Sequence, residues 1–232
     1  MTLNLKGVFE QMFTPADRFL IIDTETTNSM DDPLVYDCGF AVVDINGHVY
    51  EQHSYVIAEV FYNTKYMKSA YYADKRPIYL NDIQRGARKV RSFFEVWNIV
   101  RDTIKRHNIK ITLAHNAPFD CRALNTTLRV LSCSRFRYFM PYNTEWWDTL
   151  RMSRAALNDS PEYEMFCEYY GHYTSRGYKR FTAEIVYRFI ADRPDFMEAH
   201  TGLEDVLIEK EIFVYCAKAV PDFDGSAFTK KR

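Results

Sequence analysis

The segment FLIIDTETT at 19–27 runs four apolar residues straight into Asp23 and places Glu25 two positions later. Alternate residues of a strand point to the same face, so the two carboxylates converge on one point if the strand runs that far. Like charges so close repel unless something positive lies between them. Carboxylates without clustered cysteine or histidine suit hard cations such as Mg²⁺ or Mn²⁺, and Mg²⁺ takes a few carboxylates together with water and substrate phosphate. Two ions about 3.5–4 Å apart can hold both the attacking and the leaving oxygen of a phosphodiester, an arrangement that calls for about four carboxylates.

The remaining carboxylates must be supplied by other elements. Residues 36–57 form two β-rich runs around Asn46-Gly47, a pair suited to a tight hairpin turn, so three antiparallel strands open the chain. Phe93, Val96, Trp97, Val100 and Ile104 recur at helical spacing, and IKITLAHN then reads as a short buried strand ending at His115-Asn116. Pro118 fits the first turn of a helix whose apolar side carries Phe119, Leu124, Leu128 and Leu131, which puts Asp120 at a strand-to-helix junction. Residues 144–157 read as another strand and helix, with Asp148 as the helix cap, and 161–198 as helical pieces broken near Gly171 and Gly177. Thr201 and Glu204 match a capping box for a last helix with Leu203, Val206, Leu207, Phe213, Val214 and Ala217 on its buried stripe. Asp205 then falls in its first turns and His200 just before it. The order β-β-β-α-β-α-β-α-α-α predicts an α/β fold: a mixed five-stranded sheet, three antiparallel strands first, flanked by helices.

At 232 residues the chain suits one domain, expected over 1–220, with 221–232 (PDFDGSAFTKKR) as a frayed tail. A formal net charge of -1 gives no global attraction to polyanions, so any nucleic-acid contact must be local or carried by metal. Five cysteines without a CxxC pair argue against a disulfide framework or a structural zinc site. Neither a basic leader nor an apolar run of about 18 residues is present, so the reading is a cytosolic protein without a membrane partner.

Taken together, DTET at 23–26, HNAPFD at 115–120 and HTGLED at 200–205 resemble, in order and spacing, the three exonuclease motifs of the DEDDh, or DnaQ-like, 3′-to-5′ exonuclease family. The resemblance spans residues 19–216 and implies a ribonuclease H-like fold. It implies that Asp23 bridges two divalent ions, Mg²⁺ or Mn²⁺, that Glu25 and Asp205 hold one, and that Asp120 supports the other. It makes His200 the general base, since an imidazole with a pKa near 6.5 can take a proton from the attacking water close to neutral pH. Glu25 and the backbone at Thr26 would hold the 3′-hydroxyl, with Asn116, Phe119 and His115 as further substrate contacts, and His115 also read as buried at a strand end. The substrate implied is the 3′ end of single-stranded nucleic acid, DNA ahead of RNA, cut to nucleoside 5′-monophosphates. Proofreading or end-trimming are the candidate roles, and a polymerase or replication protein a candidate partner. The rivals are an RNA-trimming exoribonuclease or oligoribonuclease, a non-catalytic nucleic-acid-binding subunit, and an endonuclease on the same scaffold.

One stretch departs from the family. Residues 61–91 form a basic, tyrosine-rich insertion carrying eight lysines and arginines against Asp74 and Asp82. Two readings stand: phosphate contacts with base stacking, or tyrosines packed on the core beneath solvated charges. The short His-Gly turn of the cellular proofreading subunits has no counterpart here.

Overall fold

In the computed structural model, which describes residues 13–27, 32–70, 73–135, 137–198, 201–220 and 225–228, β1 (Phe19–Thr27) lies inside a six-stranded sheet. Its apolar residues alternate between the two faces: Leu20 and Ile22 feed one core, Phe19 and Ile21 the other. On one side of β1, β2 (Leu34–Val43) and β3 (Val49–Ile57) continue antiparallel; on the other, β5 (Ile111–Ala114) and β6 (Glu145–Asp148) join parallel. The five expected strands are therefore present. A sixth, β4 (Lys89–Arg91), pairs parallel with β3 at the sheet edge. Its three residues, two of them basic, are too short for the alternation that announces a strand.

Nine α-helices are described. α1 (Ala58–Phe61), α2 (Thr64–Met67) and α3 (Arg76–Gln84) lie in or beside the insertion. α4 (Phe93–Arg106), opened by a Ser92–Glu95 capping box, and α5 (Ala117–Ser132) cover the Leu20 face. α6 (Thr149–Leu157), α7 (Pro161–Tyr170), α8 (Ala183–Ile190) and α9 (Gly202–Ala219) cover the Phe19 face. Of the expected α9 stripe, Val206, Phe213, Val214 and Ala217 are buried and Leu203 and Leu207 half-buried, while Ile208, Ile212 and Cys216 are enclosed as well because the helix packs on β1 and β2 and against α6 and α8. Thr201 precedes α9 as expected, but its hydroxyl donates to Glu204 Oε2 at 2.5 Å instead of capping a backbone N–H. In the β2–β3 hairpin only Gly47 takes a positive φ, +83°, and Asp44 holds the turn by accepting from the N–H groups of Asn46 and His48.

The insertion is anchored to the core at a few side chains, while most of its described residues are exposed. Phe61, Met67 and Tyr79 are buried in the core, and the Tyr79 hydroxyl donates to the buried Asp37 of β2 at 2.6 Å. Arg88 lies over the Tyr79 ring and pairs with Asp82 and Asp37. Tyr62 remains exposed; Tyr71 and Tyr72 lie outside the described residues.

The C-terminal segment corrects the expectation of a frayed tail over its described part. Residues 225–228 run along β6: Ala227 N donates to Trp146 O at 2.8 Å, Asp148 N to Gly225 O at 2.9 Å, and Ser226 bridges Trp147. Edge strands leave backbone groups unpaired, and this segment satisfies those of β6. Gly225 fits because a Cβ there would lie 2.2 Å from the Trp147 ring.

Candidate active site

Each expected acidic residue lies near the end of an element. Asp23 and Glu25 sit on one face near the end of β1, and Asp205 sits one turn into α9, its N–H bonded to Thr201 O. One carboxylate oxygen from each of the three lies within 4.8 Å of the others. Asp120, in the first turn of α5, is buried and is steered by Thr24, whose N–H and hydroxyl donate to its Oδ1 at 3.1 and 2.8 Å. The α5 start is itself pinned: Asn116 adopts the left-handed conformation (φ 66°, ψ 48°), which asparagine tolerates. Asp148 accepts from Asn116 N at 2.9 Å and from Leu150 N at 3.0 Å, so it caps α6 as expected and ties both helix starts together.

The other expected substrate contacts divide. Asn116 and Phe119 line a cleft of about 580 Å³ together with Asp23, Glu25, Asp120 and Asp205. Thr26 is half-buried next to the register shift between Glu25 and Thr26. His115 lines the cleft, but its ring is already engaged: Nε2 meets Phe181 O at 2.7 Å and Nδ1 meets the Thr149 hydroxyl at 3.1 Å. Both ring nitrogens thus have protein partners, and burial lowers the pKa of the ring. His200 lies outside the described residues.

Several cleft residues were not anticipated. Glu209, four positions after Asp205 on α9, is buried; one oxygen accepts from His115 N at 2.9 Å and the other has no partner. The i,i+4 spacing from Asp205 was the available signal. Glu198 also lines the cleft, as do Arg154 on α6 and Lys179, Arg180 and Thr182 on the segment leading to α8. No local pattern marks these, since only the packing of α6–α8 over the sheet brings them to the carboxylates.

The electrostatics follow from this crowding. Burial, then Asp120, Glu209, Asp205 and Glu25, raises the Asp23 pKa well above its ordinary value. Burial and Asp205 push Glu25 up to about 9, burial and Glu198 push Asp205 up to about 8, and burial raises Asp120 to about 7. Lys75, on the turn at 73–75 of the insertion, opposes the shifts of Glu25, Asp205 and Glu198, so the insertion supplies a positive charge to the acidic cleft. The all-oxygen donor set, with Asp205 Oδ1 buried and unpartnered, fits a hard divalent cation.

A stability prediction follows. These carboxyls hold protons more tightly folded than unfolded, where the ordinary values are 3.8 and 4.5. Their contribution is therefore full below about pH 4 and is lost as pH rises through about 7 to 9. In EDTA the melting temperature should fall from pH 6 to pH 9, and Mg²⁺ or Mn²⁺ should restore most of the loss at the alkaline end. A melting temperature flat in pH, and indifferent to added cation, would contradict the charge crowding.

No protein-family model and no curated protein matches the chain. Among solved structures, the chain resembles cell-death related nuclease 4 (TM-score 0.55, 14% identity, 87% of this chain and 64% of that one). It also resembles E. coli Exonuclease I in complex with a dT13 oligonucleotide (TM-score 0.52, 13% identity, 87% and 40%). The zinc-bound form of the same exonuclease with single-stranded DNA gives 0.51, 14%, 88% and 40%. The chain thus spans under two thirds of each of these structures, and at such identities the likeness concerns architecture: the protein has the ribonuclease H-like α/β fold that these nucleases share.

Proposed function

We propose that the protein is a divalent-cation-dependent 3′-to-5′ exonuclease that removes nucleoside 5′-monophosphates from single-stranded ends, with DNA the favoured substrate. The observation that carries this reading is the meeting of Asp23, Glu25 and Asp205, drawn from segments 180 residues apart in sequence, within 4.8 Å. Asp120 beside Asp23 supplies the fourth carboxylate of a two-ion set. Divalent cations bound there, Mg²⁺ or Mn²⁺, would contribute Lewis-acid charge against the developing negative charge of the phosphodiester.

The chain's own groups do the rest. Asp23 would serve both ions, Glu25 and Asp205 one, and Asp120 the other, its lone pairs oriented by the two donors of Thr24. Asn116 and Phe119 would position the terminal nucleotide, with Glu25 and the backbone at Thr26 at its 3′-hydroxyl. His200 would accept the proton of the attacking water, a role suited to an imidazole at neutral pH. Arg154, an exposed residue of the cleft lining, is a suitable phosphate contact. Support for a single-stranded DNA substrate comes from the oligonucleotide complexes of Exonuclease I, and for a divalent ion from its zinc-bound form.

Matched 5′-labelled DNA and RNA oligonucleotides with Mg²⁺ or Mn²⁺ test the reading. The expected result is a ladder shortening from the 3′ end, faster on DNA, with no cutting of circular strands. Shortening of RNA alone would favour the RNA-trimming reading, and cutting of circles would make the enzyme an endonuclease. No cleavage of any strand would overturn the proposal.

A further inference from the structure

Between Cys121 and Thr144 the chain carries four arginines, Arg122, Arg129, Arg135 and Arg137, and no acidic residue. In a protein of net charge -1 this is a concentrated positive run. Arg122 and Arg129 are seven residues apart on α5; seven steps of about 100° return nearly to the same azimuth, so both lie on one side of the helix, about 10.5 Å apart along it. Among the described residues none of the four arginines is ion-paired to a carboxylate, and Arg129 Nε is buried without a hydrogen-bond partner.

Aromatic rings accompany these charges. Arg122 lies 5.7 Å from the ring centre of Phe119, which lines the carboxylate cleft. Arg129 lies 5.3 Å from the ring of Tyr138, and that ring is 5.7 Å from Tyr142. Tyr142 is 92% exposed and Tyr138 47%, so neither ring contributes much to the core. Beside them is a cavity of about 250 Å³ bounded by Asn125, Met140, Thr144 and Trp146, where the Thr144 hydroxyl is buried without a partner. Unpaired guanidinium groups alternating with exposed rings suit a phosphate backbone carrying stackable bases, whereas an apolar protein partner would leave the arginines uncompensated.

We propose that this face is a second nucleic-acid subsite. The strand whose 3′ end occupies the carboxylate cleft runs along α5, its phosphates over Arg122 and Arg129 and its upstream bases on Tyr138 and Tyr142. This inference rests on the exonuclease reading for the strand's orientation, but binding at the face is measurable without hydrolysis. The subsite starts at the cleft edge and ends more than two helical turns away, so a very short strand cannot reach Tyr138 or Tyr142 while occupying the cleft.

The test uses Arg129→Glu/Tyr138→Ala and, as a pair confined to exposed side chains, Arg137→Glu/Tyr142→Ala. Binding of a fluorescein-labelled oligo-dT of about 15 nucleotides is followed by anisotropy in EDTA, and cleavage of that strand and of a trinucleotide in Mn²⁺. Both variants should bind the long strand about 10-fold or more weakly and with a shallower salt dependence. Their turnover of the trinucleotide should stay within about twofold of wild type. Long-strand binding unchanged in both pairs overturns the subsite and leaves the exonuclease reading standing. Equal loss on long and short substrates also overturns it, since the residues would then serve the cleft or the fold, as does wild-type binding of poly-glutamate that matches oligo-dT and is lost in the same variants. If the wild type cleaves nothing in Mn²⁺, the exonuclease reading fails, while the EDTA binding comparison still decides whether the face holds single strands.

Discussion

Asp23→Asn should eliminate strand shortening while leaving the protein folded. Asn keeps the size of the side chain and one carbonyl oxygen but removes the charge that the proposed reaction uses at both cation positions. Loss of a single stabilising donor at a reaction centre costs about 10²–10³-fold in rate, and a group proposed to hold both ions should cost at least the upper end of that range. The fold should tolerate the change because four neighbouring carboxyl groups, those of Asp120, Glu209, Asp205 and Glu25, already oppose the Asp23 charge. Removing it relieves repulsion, so the melting temperature in EDTA at pH 8 should be equal to or above that of wild type. Initial rates at saturating Mn²⁺, read beside thermal melts, check both halves. Activity within tenfold of wild type would remove Asp23 from the reaction, and a lower melting temperature in EDTA would contradict the crowding.

How much of this was readable beforehand depends on whether the signal was local. Asp23 and Glu25 were legible because strand alternation is a property of neighbouring residues, and Asp120 because Asn116 and Pro118 mark a strand-to-helix junction within five positions. The hairpin was legible for the same reason, although only Gly47 and not Asn46 took the left-handed conformation. β4 was not, because three residues at a sheet edge carry no pattern of their own and exist through pairing with Tyr55, Val56 and Ile57. The docking of residues 225–228 on β6 likewise depends on the Trp147 ring accepting Gly225, which no run of residues near the C-terminus discloses. Glu209 was overlooked for a different reason: a glutamate in an apolar helix reads as the solvent face, yet α9 is enclosed on most sides. In the insertion, Tyr79 and Phe61 lie in the core, where the packing reading puts its aromatic residues, and the charge of Lys75 acts on Glu25 and Asp205.

The second large effect is expected at a residue with no functional group at all. Gly39 of β2 stands opposite Asp23 in the sheet register, and α9 begins against it at Gly202. A Cβ on Gly39 would lie 2.1 Å from Gly202 C and 2.4 Å from Leu203 N, and a Cβ on Gly202 would lie 2.5 Å from Gly39 N. All of these neighbours are backbone atoms, so no rotamer change relieves the overlap, and the start of α9 must back away from the sheet. Asp205 is three residues into that helix and would move with it, opening the distance to Asp23 and Glu25 that the cation requires. Gly39→Ala should therefore lower stability by about 3 kcal/mol, the upper end of ordinary overpacking. Mn²⁺ affinity, measured by calorimetry on the folded variant, should fall at least about 10-fold, as when a partner that orients a metal ligand is lost. Ile212→Val is the matching control: it removes one methyl from the buried body of α9, at a cost of about 0.5–1.5 kcal/mol, without touching the helix start. If Gly39→Ala binds Mn²⁺ as tightly as Ile212→Val does, the close approach of β2 and α9 does not set the cation site, and Asp205 owes its place to other contacts.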